Sequence, residues 1–251
     1  MIDVQVEKRH IASVPRRVLT TILFVILGLA FSSIFILLKG FNPLTVFGRM
    51  LSYSFMNITG IESSIMAGIP LMFCGLSVAF AFKMNLNNIG AEGQYAIGAI
   101  LGGGFSLFAP EMSIPLRLFL MLLLSAIGGG LWAMIAAVLK AFWDVNETIV
   151  TLLLNYVALL FLDYLVYGPW MSQGQTSPNT EQIPRAMFLP NLGNSGVNSV
   201  FLFAIALAVI MQLFFKYSTA GYQIEVIRNN KQTAKYAGIN VKRYILVVLV
   251  I

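Results

Sequence analysis

The run VLTTILFVILGLAFSSIFILL, Val18 to Leu38, contains no charged residue and is bracketed by Arg17 and Lys39. A helix needs about 20 predominantly apolar residues to cross a bilayer's hydrocarbon core, because each residue rises about 1.5 Å and the core is about 30 Å thick. The run therefore predicts a first membrane span. It is too long for the core of a signal peptide, and no small-residue cleavage site follows it. The polar, basic head MIDVQVEKRHIASVPRR is accordingly expected to remain attached.

Further apolar runs follow at residues 64–82, about Ala91–Phe108, 118–138, 148–166 and 197–215, and a seventh begins at Tyr244. They predict an all-α fold, a polytopic transmembrane helical bundle with six complete spans. Composition agrees: 58% of residues are hydrophobic, 10% are charged, and the mean hydropathy is +0.83, so lipid is the solvent for most of the chain. The sequence stops at YILVVLVI, eight apolar residues into the seventh run, which is too short to cross. A continuation past Ile251 is expected, with residues 1–251 forming one incomplete transmembrane domain.

Sixteen Lys and Arg stand against 10 Asp and Glu. An excess of that sign suits nucleic acid, but cytoplasmic loops of membrane proteins collect the same residues. A cytoplasmic N-terminus places residues 1–17, 83–90, 140–147 and 216–243 on one side with twelve of the basic residues, leaving Lys39, Arg49, Arg117 and Arg185 on the other. The asymmetry predicts that orientation and no nucleic-acid partner. Two outer segments are long. Residues 39–63 space their apolar positions as an interfacial helix does, and residues 168–196, rich in Pro, Asn, Ser and Thr, read as a loop. Cys74 lies in an apolar run without an intrachain partner, which excludes a disulfide or cysteine metal cluster and leaves a small packing residue.

One stretch breaks the pattern. NLNNIGAEGQYAIG, residues 85–98, gathers three asparagines, a glutamate and a glutamine between two apolar runs. Irregular polar backbone at membrane depth is tolerated only inside protein or along a wet cavity. Asn87 or Asn88 can cap the helix that follows, Gly90 and Gly93 relieve crowding, and Glu92 in the first turn suits the positive end of the helix dipole. Gly98 and Gly102 form a GxxxG, which permits close approach of another helix. Spacing alone leaves two readings open: a broken helix entrance that lines or gates a pathway, or an ordinary turn with a good cap.

NIGAEGQ, residues 88–94, resembles the signature of permease subunits of ABC importers for simple sugars and nucleosides, with the stronger likeness to the nucleoside branch. GFNPLTVFGRML (residues 40–51), IPLMFCGLSVAFAFK (69–83), VNETIVTLLLNYVALLFLDYLVYGPW (145–170) and AGYQIEVIRNNKQTAKYAGINVKR (220–243) resemble further blocks of that branch, in order and spacing. The last block departs from the family at Glu225, Arg228, Lys231 and Thr233, and keeps Gly221, Asn230, Ala234, Tyr236, Ala237, Gly238 and Ile239.

The resemblance implies a non-enzymatic permease that needs no cofactor and is energised by a separate cytoplasmic ABC ATPase. The chain has no GxxxxGK[ST] phosphate-cradling loop of its own. The ATPase is expected on residues 217–243, through Gly221, Ile224, Arg228, Asn230, Ala234, Tyr236 and Gly238. Ile224, Ile227, Ala234 and Ala237 would offer apolar contacts, and Arg228, Lys231 and Lys235 would meet an acidic groove. A second permease, identical or related, and an extracytoplasmic binding protein or lipoprotein are further implied partners, the latter at residues 39–63 and 168–196. Candidate pathway or gate residues are Asn85, Asn87, Asn88, Glu92, Gln94, Asn155 and Asp163. Asn155 lies deep enough to need a partner across helices, as pathway or as helix glue. Asp163 lies near the outer end of its span, as a gate or as a snorkelling side chain. Phe142, Trp143, Tyr164, Tyr167 and Trp170 read as interfacial aromatics, and His10 in the head carries no chemistry.

The substrate implied is a nucleoside or related riboside, the alternative being a sugar of the sister branch. An ion-coupled secondary transporter would need intramembrane ionisable groups, of which Glu92 and Asp163 are nearly all. A membrane enzyme would need a nucleophile elbow or metal cluster, and the sequence holds one histidine and one cysteine.

Overall fold

The computed structural model describes residues 14–109, 112–172, 174, 177–184 and 187–251. The basic head with His10 lies outside the described residues, as does Arg185. The chain divides into two compact units, Met1–Ile61 and Glu62–Ile251.

In the first unit, α1 (Val14–Leu38) holds the opening apolar run, and its apolar window has no buried residue. Leu19, Phe24 and Leu38 are among its many exposed side chains, an arrangement that suits lipid and not water. Asn42 then caps α2 (Pro43–Met56), accepting from the Leu44 N–H at 2.9 Å with Pro43 in the first turn. With 14 residues α2 reaches about 21 Å, too short to cross, as expected of an interfacial helix. Asn57 ends it in extended backbone and accepts from the Thr59 N–H at 2.9 Å, which starts α3 (Ile58–Phe82) at once. This cap is why α3 begins six residues before its apolar run.

The second unit takes up most of α3 and continues with α4 (Ala91–Phe108), α5 (Ile114–Trp143), α6 (Glu147–Tyr167) and α7 (Val200–Tyr217). Three shorter helices, α8 (Thr219–Asn229), α9 (Lys231–Tyr236) and α10 (Val241–Val250), complete it. The predicted bounds of α4 match. α5 overruns its apolar window at both ends, from Pro115 in its first turn to Asp144, which adopts left-handed backbone (φ 51°) and closes the helix. α7 starts late because residues before it form a tight turn, with Asn191 bridging Asn198 and the Leu192 N–H donating to the Val197 carbonyl at 2.8 Å. Trp170 packs against the end of α4 with its ring 5.7 Å from that of Phe108.

Among the described residues five helices are long and apolar enough to cross a membrane: α1, α3, α5, α6 and α7. α4, the sixth expected span, has 18 residues but is too polar to be among them. Its Glu92, Gln94 and five glycines lower its hydropathy, and the fold compensates by screening it. α4 packs against α5 and α6, burying Ala91, Gly93, Ala96, Ile97, Gly98, Ile100, Gly102 and Ser106. Gly98 and Gly102 are needed for that screening, since a Cβ on Gly98 would lie 2.9 Å from the Ser125 carbonyl and one on Gly102 2.8 Å from that of Met121. A second core gathers Met84 and Leu86, Ala137 and Ala141 of α5, Ile224 and Ile227 of α8, Ala234 of α9, and Val241, Ile245, Val248 and Leu249 of α10.

Candidate functional site

Residues 84–90, the polar link between α3 and α4, are bound on both sides. Asn85 takes left-handed backbone (φ 60°) just after α3, a conformation Asn tolerates better than most residues, and its side chain is exposed in the turn. From there burial alternates: Met84, Leu86 and Asn88 point inward while Asn87 and Ile89 face out. Neither Asn87 nor Asn88 is the N-cap of α4, which corrects that expectation. Gly90 occupies the position without a side-chain bond, and Asn88 acts from two residues upstream by accepting from the Gly90 N–H at 3.1 Å. Asn88 is 1% exposed, so its amide must be satisfied internally. It pairs reciprocally with Gln94, donating to Oε1 at 3.4 Å and accepting from Nε2 at 3.3 Å.

The outward N–H groups of the link are taken up by the first turn of α6. Ile89 N–H donates to the Thr151 hydroxyl at 3.1 Å, and that hydroxyl donates to the Glu147 carbonyl at 2.8 Å. Asn87 N–H donates to Glu147 Oε1 at 3.4 Å, and the other carboxylate oxygen lies 3.0 Å from Lys140 Nζ. Lys140 also reaches Asp144 at 2.8 Å. The Lys140 ammonium beside exposed Asp144 holds its carboxyl below the ordinary aspartate range.

Glu92 and Asn155 meet: Asn155 Nδ2 donates to Glu92 Oε2 at 3.4 Å, across α6 and α4. Asn155 thus has its interhelical partner, while its Oδ1 is buried without a hydrogen bond. Asp163 lies two turns further along α6 on an exposed face, away from this pair. Gln94 alone of the predicted pathway residues lines the cavity of about 280 Å³ between α3, α4, α5 and the end of α10. Its other walls include Phe73, Ser77, Tyr95 and Ser125, and the buried Ser77 hydroxyl has no hydrogen-bond partner. The lining carries amide, hydroxyl and aromatic groups and no charged side chain.

At residues 217–243, Ser218 caps α8 by accepting from the Gly221 N–H at 2.9 Å, and Asn230 both ends α8 and caps α9 through the N–H groups of Gln232 and Thr233 at 2.8 and 3.1 Å. Gly221 is buried where a Cβ would meet the Phe214 carbonyl at 2.7 Å, and Gly238 takes φ +77°. Ile224, Ile227 and Ala234, expected to face a partner, are instead buried in this chain's own core. What the loop presents outward is Arg228, Asn230, Lys231, Lys235, Ala237 and Tyr236, the last 92% exposed.

Sequence reasoning missed Lys140, Glu147 and Thr151 as members of the polar junction, and Ser77, Tyr95 and Ser125 as cavity lining. Asn146-Glu147-Thr148 held the only signal, a capping Asn followed by an acid in the first turn of α6. Among the described residues no group of His, Cys, Asp and Glu could hold a metal ion.

These features define a multi-pass helical membrane protein with one polar helix screened from lipid and a cavity without charged side chains beside it. Residues 60–251, which take in the whole of the second unit, match the family described as branched-chain amino acid transport system / permease component, and the chain belongs to that family. It is 31% identical over 238 residues to the guanosine ABC transporter permease protein NupP of Bacillus subtilis, covering 93% of this chain and 68% of that one. It is 30% identical over 234 residues to the glucose ABC transporter permease protein TsgB13 of Haloferax volcanii (88% and 61%), and 27% identical over 245 residues to the nucleoside ABC transporter permease protein NupB of Lactococcus lactis (94% and 67%). The chain thus spans about two thirds of the length of these relatives. No solved structure matches it.

Proposed function

We propose that this chain is the membrane-spanning part of an ATP-driven importer of nucleosides. The observation that carries the reading is its similarity, at 31% and 27% identity over more than nine tenths of its length, to permeases named for guanosine and for nucleosides. The cavity supports it. Phe73 and Tyr95 can stack on a heterocycle, and the Gln94 amide with the Ser77 and Ser125 hydroxyls can hydrogen-bond a neutral base or ribose. A charged solute would meet no counter-charge there. Asn88 holds Gln94 in place, and Glu92 with Asn155 supplies a second polar pair for a solute passing along α4.

The N-terminus faces the cytoplasm, as do residues 83–90, 140–147 and 216–243, because this arrangement puts the basic residues inside. A separate ATPase binds the exposed tip of the α8–α9 loop, with Tyr236 as its aromatic anchor and Arg228, Lys231 and Lys235 around it. A second permease copy and an extracytoplasmic binding protein complete the transporter, the latter at residues 39–63 and 168–196. The glucose permease relative supports a second reading, a sugar importer. Uptake by cells expressing the full transporter separates the two. The nucleoside reading predicts that unlabelled adenosine, and not glucose or ribose, abolishes accumulation of labelled guanosine. Glucose accumulation insensitive to nucleosides would replace it with the sugar reading.

A further inference from the structure

Lys140 stands where three parts of the second unit meet. On one side its ammonium lies 3.0 Å from Glu147, whose other oxygen accepts from the Asn87 N–H of the link into α4. On the other it lies 2.8 Å from Asp144. The Lys140 and Glu147 side chains are 12% and 10% exposed, whereas that of Asp144 is 85% exposed. Asp144 also feels Lys231 and Lys235 of α9, which act on its carboxyl with the same sign as Lys140. Beneath these charges, Ala137 and Ala141 of α5 share one apolar core with Met84 and Leu86 of the link and with Ile227 and Ala234 of the loop.

Lys140 is therefore divided between a carboxylate that feels the lysines of α9 and one that accepts from the Asn87 N–H at the entrance of α4. A cation shared by two anions redistributes when a second cation approaches either of them. Movement of α9 toward Asp144 weakens that carboxylate's hold on Lys140 and leaves the ammonium to Glu147; withdrawal of α9 does the reverse. Because the Lys140–Glu147 pair is mostly buried, such a redistribution is little screened by salt.

We propose that Lys140 is the positioning residue through which displacement of the α8–α9 loop reaches Asn87 and the polar entrance of α4. The inference rests on the reading of that loop as the ATPase seat. It makes Lys140, Asp144 and Glu147 determinants of how much solute moves per nucleotide hydrolysed, separate from the groups that touch solute or ATPase.

The test is uptake and ATP hydrolysis measured together in proteoliposomes holding the full-length transporter. Absence of ATP-dependent uptake by the unaltered transporter would fail the importer reading itself and is scored before any variant. With uptake established, Lys140→Met is expected to keep hydrolysis within about twofold while solute moved per ATP falls about tenfold, and Lys140→Arg, whose fork reaches both carboxylates, to restore the ratio to within about threefold. Should Lys140→Met fail to assemble, Asp144→Asn decides, since an exposed side chain can be changed without unfolding the chain; a fall of about threefold in solute per ATP is expected. An unchanged ratio in the variant that assembles, or uptake and hydrolysis falling in proportion, overturns the proposal.

Discussion

Gly98 of α4 faces Ser125 of α5 so closely that a methyl group on it would lie 2.9 Å from the Ser125 carbonyl oxygen. The contact draws the polar helix under the cover of α5. Gly98→Val is expected to force the two helices apart and destabilise the full-length protein by about 1–3 kcal/mol. Gly103, one turn on, has nothing within 4 Å of a Cβ, so Gly103→Ala should leave stability level or raise it by about 0.5–1 kcal/mol, the helix propensity gained. Thermal unfolding in detergent reads both signs.

The Thr151 hydroxyl accepts from Ile89 and donates to Glu147, and Thr151 is 2% exposed. Thr151→Val keeps the shape and removes the acceptor, leaving a backbone N–H unpaired at a cost of about 1–3 kcal/mol. Thr151→Ser should recover most of it. Hydrogen exchange at the Ile89 amide is the specific readout: protection falls in the valine variant and returns with serine.

Asn88 and Gln94 form a closed amide pair, with Asn88 almost wholly buried. Asn88→Leu removes the partner of both Gln94 and the Gly90 N–H, so a loss of about 1–3 kcal/mol is expected along with a freed Gln94 side chain at the cavity. On the importer reading, apparent affinity for solute also changes. Gln94→Met removes the cavity amide and also leaves the buried Asn88 Nδ2 unpaired, so weaker solute binding is expected together with a stability loss of about 1–3 kcal/mol.

Ile227 and Tyr236 sit in neighbouring helices with opposite exposure, 1% and 92%. Ile227→Ala should cost about 2–5 kcal/mol by opening a cavity under the loop. Tyr236→Ala should leave the unfolding midpoint unchanged and, on the importer reading, weaken binding of the ATPase subunit by about 2 kcal/mol or more, as loss of an interfacial aromatic anchor does. Co-purification of the ATPase with each variant separates the two effects.

The helices were legible because lipid makes composition decisive: α1, α6 and α7 lie within a few residues of their apolar runs, and α4 runs between its predicted ends. Their ends were less legible where a single residue set them, as Asn57 does for α3 and Asp144 for α5. The polarity of residues 85–94 announced a protected segment, but its protector was invisible. Glu147 is 60 residues from Asn87, and Thr151 is 62 from Ile89. Lys140 looked like one more interior-facing positive charge because its two carboxylates come together only across the left-handed turn at Asp144. The same limit applied to the α8–α9 loop. An apolar stripe on a short helix does not say whether it faces a partner or its own chain, and Ile224, Ile227 and Ala234 face their own.

The most direct measurement of the central claim, that force from a separate ATPase opens and closes this helical bundle, is solute accumulation by the full-length permease in sealed proteoliposomes. Labelled guanosine is expected to accumulate only when binding protein, ATPase and ATP are all present, and to stop with Tyr236→Ala. Accumulation driven by an ion gradient with no nucleotide-hydrolysing subunit in the vesicle would contradict it.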